Sequence, residues 1–124
     1  MEKILIVDNS MVIRKVISKL LQNTDLKGAE VFQAENGEQA LELVEEHGFE
    51  LIFLDLNMPL MNGFEFLENF SSHESYDQTK VVVVTTEGSE ERKKELEDLG
   101  VQDRILKPIK PEEFEKTIEA IGKS

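Results

Sequence analysis

A short apolar run that ends on an acidic residue constrains this chain more than any other feature. Leu51–Leu54 reads Leu-Ile-Phe-Leu, a pattern typical of a strand that is covered on both faces in the middle of a parallel sheet. Asp55 follows directly, where the chain must leave the sheet, because Pro59 has no amide hydrogen and an Asn-Gly pair at positions 62–63 favours a turn or helix start. The run therefore predicts a central strand that aims one carboxylate out of its carboxyl end.

Four other apolar runs alternate with segments of helical spacing. Strands are predicted over residues 3–7, 30–34, 51–54, 80–84 and 101–106, and helices over about 10–23, 38–47, 62–70 and 89–99 and from Pro111. The first helix is expected to bury a broad stripe, with Val12, Val16, Lys19 and Leu20 on one face and Ile13, Ile17 and Leu21 beside it. The highly charged fourth helix is expected to dock weakly through Leu96 and Leu99. Five strands alternating with five helices predict a doubly wound α/β fold: a five-stranded parallel sheet between two helical layers.

Length and composition narrow the class of protein. The 124 residues fit one compact domain, and 40% hydrophobic residues are enough for an ordinary core. The chain has no apolar run long enough to span a bilayer and no signal-peptide pattern, so we expect a soluble cytoplasmic protein without membrane insertion. A formal net charge of −12 disfavours direct binding to nucleic acid, which requires clustered lysine and arginine. We therefore expect protein partners or cations.

Polar residues stand at four of the five predicted strand ends. They are Asp8-Asn9, Asp55, Thr85-Thr86 and Lys107. Ligands of doubly wound folds bind outside the carboxyl ends of the strands, so these side chains are expected to share one pocket. Carboxylate and amide oxygens suit a hard cation such as Mg²⁺, whereas lysine and threonine suit a phosphoryl group. Because the plausible covalent nucleophile among them is a carboxylate, the pattern predicts an aspartyl phosphate formed with metal assistance.

The same residues resemble the receiver domain of two-component response regulators. The resemblance covers nearly the whole chain, through Ile-Leu-Ile-Val-Asp at 4–8, Asp-Leu-Asn-Met-Pro at 55–59, Met-Asn-Gly at 61–63, Val-Thr at 84–85 and Leu-Lys-Pro at 106–108. It implies the flavodoxin-like strand order 2-1-3-4-5, for which the chemotaxis receiver is the established example. It also implies one receiver domain over residues 1–124, of the stand-alone chemotaxis (CheY-like) type, with no output domain.

The resemblance also implies a role for each matching residue. Asp55 would be the phosphoacceptor, and Mg²⁺ would be held by Asp8, Asp55 and the main-chain carbonyl of Asn57, with Asn9 as a further candidate ligand. Thr85 would bond the phosphoryl group and move with it, while Lys107 would pair with a phosphoryl oxygen. Thr86 and Asn57 would tune how fast water reaches the phosphoryl group, and Pro108 would follow a cis peptide bond.

Two positions depart from the family pattern. Most receivers have two adjacent acids where this chain has Asp8-Asn9, so we expect weaker binding of Mg²⁺; Asn9 could instead cap the first helix. Arg104 stands where many chemotaxis receivers have an aromatic residue that turns inward as the threonine moves. Without that ring, we expect signal transfer to rely more on the loop after Thr85 and on the fourth helix.

The predicted function is that of a phosphoprotein in signal transduction. A sensor histidine kinase would phosphorylate Asp55, and the altered surface would bind a downstream protein, such as the flagellar motor or another signalling protein, until self-dephosphorylation or a phosphatase resets it. We expect no enzymatic turnover of a metabolite. One alternative is a phosphorylation-independent docking module, which Asn9 makes plausible. A nucleotide or flavin binder is disfavoured because no glycine-rich or hydroxyl-rich loop follows the first strand.

Overall fold

A computed structural model describes residues 2–122, and their strands and helices alternate along the chain. The strands are β1 (Lys3–Val7), β2 (Glu30–Ala34), β3 (Leu51–Leu54), β4 (Lys80–Thr85) and β5 (Asp103–Leu106). The helices are α1 (Met11–Leu21), α2 (Gly37–Glu46), α3 (Gly63–Phe70), α4 (Glu90–Asp98) and α5 (Pro111–Gly122), with a 3₁₀ turn at Tyr76–Gln78 before β4.

All the strand pairs are parallel, in the order β2-β1-β3-β4-β5. The predicted doubly wound fold and its strand order are therefore confirmed. β3 lies at the centre, and each of its four residues is fully buried, as expected of a strand covered on both faces. β5 lies at the sheet edge, which its polar residues predicted.

The two faces of the sheet carry separate cores. Ile52 and Leu54 of β3 pack with buried side chains of α2, α3 and α4. Leu51 and Phe53 point to the opposite face and pack with α1 and α5, where the rings of Phe53 and Phe114 stack with centroids 5.4 Å apart. The central strand is thus fixed from both sides, and its carboxyl end is a rigid place from which to present Asp55.

The prediction for the buried face of α1 was wrong in part. Val12 is 68% exposed and Val16 is 36% exposed, while Arg14, Ile17 and Leu21 are the residues that the helix buries. Two apolar faces exist on this helix, and only one can meet the sheet. Apolar spacing alone does not indicate which face docks.

α4 is attached as weakly as its sequence predicted. Leu96 is its buried residue, and Leu99 is only partly buried. Residue 101, predicted to begin β5, instead completes the end of this helix: Val101 N–H donates to Leu96 O, Gly100 N–H donates to Glu97 O, and Gly100 has a φ of +85°. β5 therefore begins at Asp103.

None of the helices in the described part of the chain is long and apolar enough to cross a membrane.

Candidate functional site

Four of the predicted site residues meet at the carboxyl end of the sheet. Val7 of β1 pairs with Leu54 of β3, so Asp8 and Asp55, the next residue of each strand, lie side by side. Lys107, from the end of β5, places its Nζ 2.9 Å from Asp8 Oδ2 and 3.6 Å from Asp55 Oδ1. Thr85 is the last residue of β4, and it is buried, as are both aspartates. Strand ends that are distant in sequence thus form one anionic pocket with a lysine at its rim.

The surroundings of Asp55 disfavour the ionised form of its side chain. Burial raises the pKa of its carboxyl group, and the nearby charge of Asp8 raises it further. Lys107 and the N–H groups of Asn57 and Leu56 act in the opposite direction but do not cancel the rise. An ionised Asp55 is therefore incompletely compensated by the protein, and a cation or a proton is favoured beside it.

Asp8 is fixed by contacts on both its side chain and its main chain. Its Oδ1 accepts from Ser10 N–H at 2.9 Å, and its carbonyl oxygen accepts from Arg14 Nη1 at 2.5 Å. Arg14 also donates from Nε to Gln33 Oε1 at 2.8 Å, which ties Asp8 to β2. The sequence analysis missed Arg14. Its helical spacing relative to Ile17 and Leu21 was a sequence signal that Arg14 lies on the buried face of the helix.

The donor set at the pocket is of a kind that fits a divalent cation. Asp8 and Asp55 supply two buried carboxylates, and the main chain of Asn57 lies next to Asp55, to whose Oδ1 its N–H donates at 3.4 Å. Asn9 is exposed, and Ser10 rather than Asn9 caps α1, so the expectation that Asn9 caps this helix was wrong. Within residues 2–122, no three Asp, Glu or His side chains group into a ready metal site. The pocket supplies two such side chains, Asp8 and Asp55, which is one fewer than a group of that kind requires.

The residues assigned to switching and tuning lie around the pocket rather than in it. Thr86 is exposed, and the peptide bond between Lys107 and Pro108 is cis. Arg104 is half-buried on the edge strand and donates from Nη1 to the carbonyl oxygen of Ser89 at 3.3 Å, at the start of α4. The residue at position 104 therefore contacts the start of α4 through a hydrogen bond and without an aromatic ring.

Glu87 and Arg92 are further residues beside the pocket that the sequence analysis missed. Glu87 Oε1 accepts from Asn57 Nδ2 at 3.2 Å, and Glu87 Oε2 lies 2.5 Å from Arg92 Nε. The main-chain N–H of Glu87 also donates to Thr85 Oγ1 at 3.1 Å. The sequence signal for this arrangement is weak: it consists of an acidic residue in a loop and a basic residue five positions later, in the first turn of a helix.

Comparisons with known proteins agree with this geometry. The family model described as response regulator receiver domain matches residues 4–119. A chemotaxis protein CheY homolog of Campylobacter jejuni is 31% identical, over 96% of this chain and 91% of that protein. A probable transcriptional regulator, ycf29 of Pyropia yezoensis, is 32% identical over 90% of this chain, which spans about half (49%) of that longer protein. The structure of chemotaxis response regulator CheY4 of Vibrio cholerae has a TM-score of 0.86 and 37% identity, with 98% of each chain covered.

Proposed function

Because the chain belongs to the response regulator receiver family, we propose that it is a phosphorylation switch of a two-component phosphorelay. Asp55 accepts a phosphoryl group from a sensor histidine kinase, and the phosphorylated surface binds a downstream protein. The observation that carries the proposal is the position of Lys107 Nζ, 2.9 Å from Asp8 and 3.6 Å from Asp55. A buried carboxylate with a cation and a second acid beside it supports phosphoryl transfer over a phosphorylation-independent docking module.

The chemical step uses the free carboxylate of Asp55. An Oδ atom attacks the phosphorus of a phosphohistidine; the oxygen–phosphorus bond forms as the phosphorus–nitrogen bond breaks, and the histidine nitrogen keeps the electron pair and takes a proton from solvent. Lys107 turns from Asp8 toward a phosphoryl oxygen. Thr85 already accepts a hydrogen bond from Glu87 N–H, so its own hydroxyl hydrogen remains available to donate to the phosphoryl group.

Receiver domains in general use Mg²⁺ for this transfer. In this chain, Asp8, Asp55 and the carbonyl of Asn57 would hold the ion, which would supply positive charge at the developing phosphoryl oxygens. Asn9 would contribute at most a neutral oxygen. The raised pKa of Asp55 supports the need for a cation, because the protein alone leaves its charge incompletely compensated.

The proposed biological setting follows the proteins that this chain resembles. The match to CheY proteins over nearly their full length supports a role in chemotaxis or related signalling, with the flagellar motor or another signalling protein as target. A phosphatase would shorten the signal. We propose a cytoplasmic location and no direct binding of nucleic acid, given the net charge of −12. The chain would catalyse only its own phosphorylation and dephosphorylation.

Intact-mass measurement after treatment with a small acyl phosphate tests the function. We expect one phosphoryl group to be added in the presence of Mg²⁺, little without it, and none in Asp55→Asn. Asp98→Asn is the matched control, because it removes one exposed acid from α4 and should be phosphorylated like the unmodified protein. A mass gain that persists in Asp55→Asn, or no gain with Mg²⁺ in the unmodified protein, would refute the proposal.

A further inference from the structure

A side-chain bridge joins the two loops on either side of the phosphoacceptor. Asn57 lies two residues after Asp55 at the end of β3, and Glu87 lies two residues after Thr85 at the end of the neighbouring β4. The 3.2 Å hydrogen bond from Asn57 Nδ2 to Glu87 Oε1 therefore closes the gap between these loops, next to the carboxylate. The bridge therefore lies beside the position that a phosphoryl group on Asp55 would take, where it would limit the approach of water.

Arg92 of α4 holds the outer half of the bridge. Its Nε lies 2.5 Å from the second carboxylate oxygen of Glu87, and its guanidinium lies over the ring of Phe64 in α3, 4.9 Å from the ring centroid. Arg92 also reaches Glu95, at 3.3 Å, on its own helix. One arginine thus ties the loop after β4 to both α3 and α4.

The same loop residue also touches the predicted switch. The N–H of Glu87 donates to Thr85 Oγ1 at 3.1 Å, so the backbone position of Glu87 depends on where the Thr85 side chain lies. Movement of Thr85 toward a phosphoryl group would pull on this hydrogen bond. Because Arg92 holds the Glu87 carboxylate, α4 would follow this movement and the bridge would stay closed.

We propose that Arg92 is a positioning residue: acting through Glu87 and Asn57, it holds the bridge beside Asp55 and so sets the lifetime of the phosphoryl group. This inference rests on the proposed phosphorylation of Asp55. Arg92 compensates the negative charge of the Glu87 carboxylate. Without Arg92, that charge would be uncompensated next to an anionic phosphoryl group, so Glu87 would be repelled and the path for water would open. Arg92 then links α4 to hydrolysis although it touches neither the phosphoryl group nor Asp55.

The test is the decay of the phosphorylated protein, followed by intact mass after the acyl phosphate and Mg²⁺ are removed. We expect Arg92→Gln to shorten the half-life about two- to fivefold, a range that a half-exposed ion pair can account for. Glu87→Ala should shorten it as much or more, and Arg92→Lys should recover part of the loss. Lys94→Gln is the matched control, since it removes one exposed cation from the same helix and should decay like the unmodified protein.

A double variant distinguishes positioning from a general weakening of α4. If Arg92 acts through Glu87, Glu87→Ala with Arg92→Gln should decay like Glu87→Ala alone. Additive effects, an unchanged half-life in Arg92→Gln, or an equal change in Lys94→Gln would overturn the inference. Those outcomes require that phosphorylation has occurred. Failure of the unmodified protein to gain the phosphoryl group at all would instead refute the proposed function.

Discussion

Lys107 is bonded more closely to Asp8 than to Asp55: its Nζ lies 2.9 Å from Asp8 Oδ2 and 3.6 Å from Asp55 Oδ1. The lysine ammonium group would therefore compete with a divalent cation for the carboxylates of Asp8 and Asp55. In the proposed phosphorylation, Lys107 would exchange the Asp8 carboxylate for a phosphoryl oxygen. The next prediction follows from this competition.

Replacing Lys107 with Met should increase the affinity for Mg²⁺, because the competing cation leaves and two buried carboxylates remain. We expect an increase of about threefold to tenfold, corresponding to about 1 kcal/mol, measured by isothermal titration calorimetry. Lys110→Met removes an exposed lysine three residues away and should leave the affinity unchanged. Weaker binding in Lys107→Met than in the unmodified protein would show that the lysine supports the metal site instead.

Asn9→Asp should also strengthen Mg²⁺ binding, for a different reason. It adds a carboxylate at the rim of the pocket, where Asn9 is now exposed. A partly solvated charge pair contributes about 1–2 kcal/mol, so we expect a gain of about five- to thirtyfold in the same titration. Asn23→Asp adds the same charge at an exposed position beyond α1 and controls for net charge. Equal affinities for all three proteins would remove the argument that Asn9 weakens the site.

The stability contributed by Asp55 should depend on pH. The pKa of its carboxyl group is raised in the folded protein above the ordinary value of 3.8. Between the ordinary pKa and the raised pKa, the folded state therefore binds more protons than the unfolded state. Stability therefore falls as pH rises through this interval, and the loss is complete above the raised pKa. We expect Asp55→Asn to be more stable than the unmodified protein at about pH 7 in urea unfolding, with the difference shrinking as pH is lowered toward 3.8. A constant difference would contradict the cause given.

Gly63 should tolerate no side chain, since it begins α3 directly against the strand end that carries Asp55. A Cβ atom there would overlap the carbonyl oxygen of Asp55 and would lie 2.9 Å from Leu56 Cα. Both obstacles are backbone, so neither can turn aside. We expect Gly63→Ala to lower the free energy of unfolding by about 2–3 kcal/mol and to slow phosphorylation. Gly28→Ala, with nothing within 4 Å of its added Cβ, should change stability by much less.

The alternation of strands and helices and the pocket were predictable because they depend on local patterns. A buried apolar run followed by an acid marks β3 and Asp55, and the receiver resemblance supplied the order of the sheet. The buried face of α1 was predictable only in part: Ile17 and Leu21 are buried as expected, but Val12 and Val16 form a second apolar face that the sequence cannot distinguish from the docked one. The bridge between Asn57, Glu87 and Arg92 was missed because it joins side chains from separate loops, whose approach depends on the folded sheet.

The shallow attachment of α4 gives the molecule a mechanical property. Its carboxyl end is pinned where Leu96 enters the core and where Gly100 reverses the chain, while its amino end is held by the polar contacts of Ser89, Arg92 and Arg104. Polar contacts at a surface can be exchanged for water at little free-energy cost, but a buried leucine cannot. The amino end of α4 should therefore be displaced at a lower free-energy cost than its carboxyl end, where Leu96 is buried in the core.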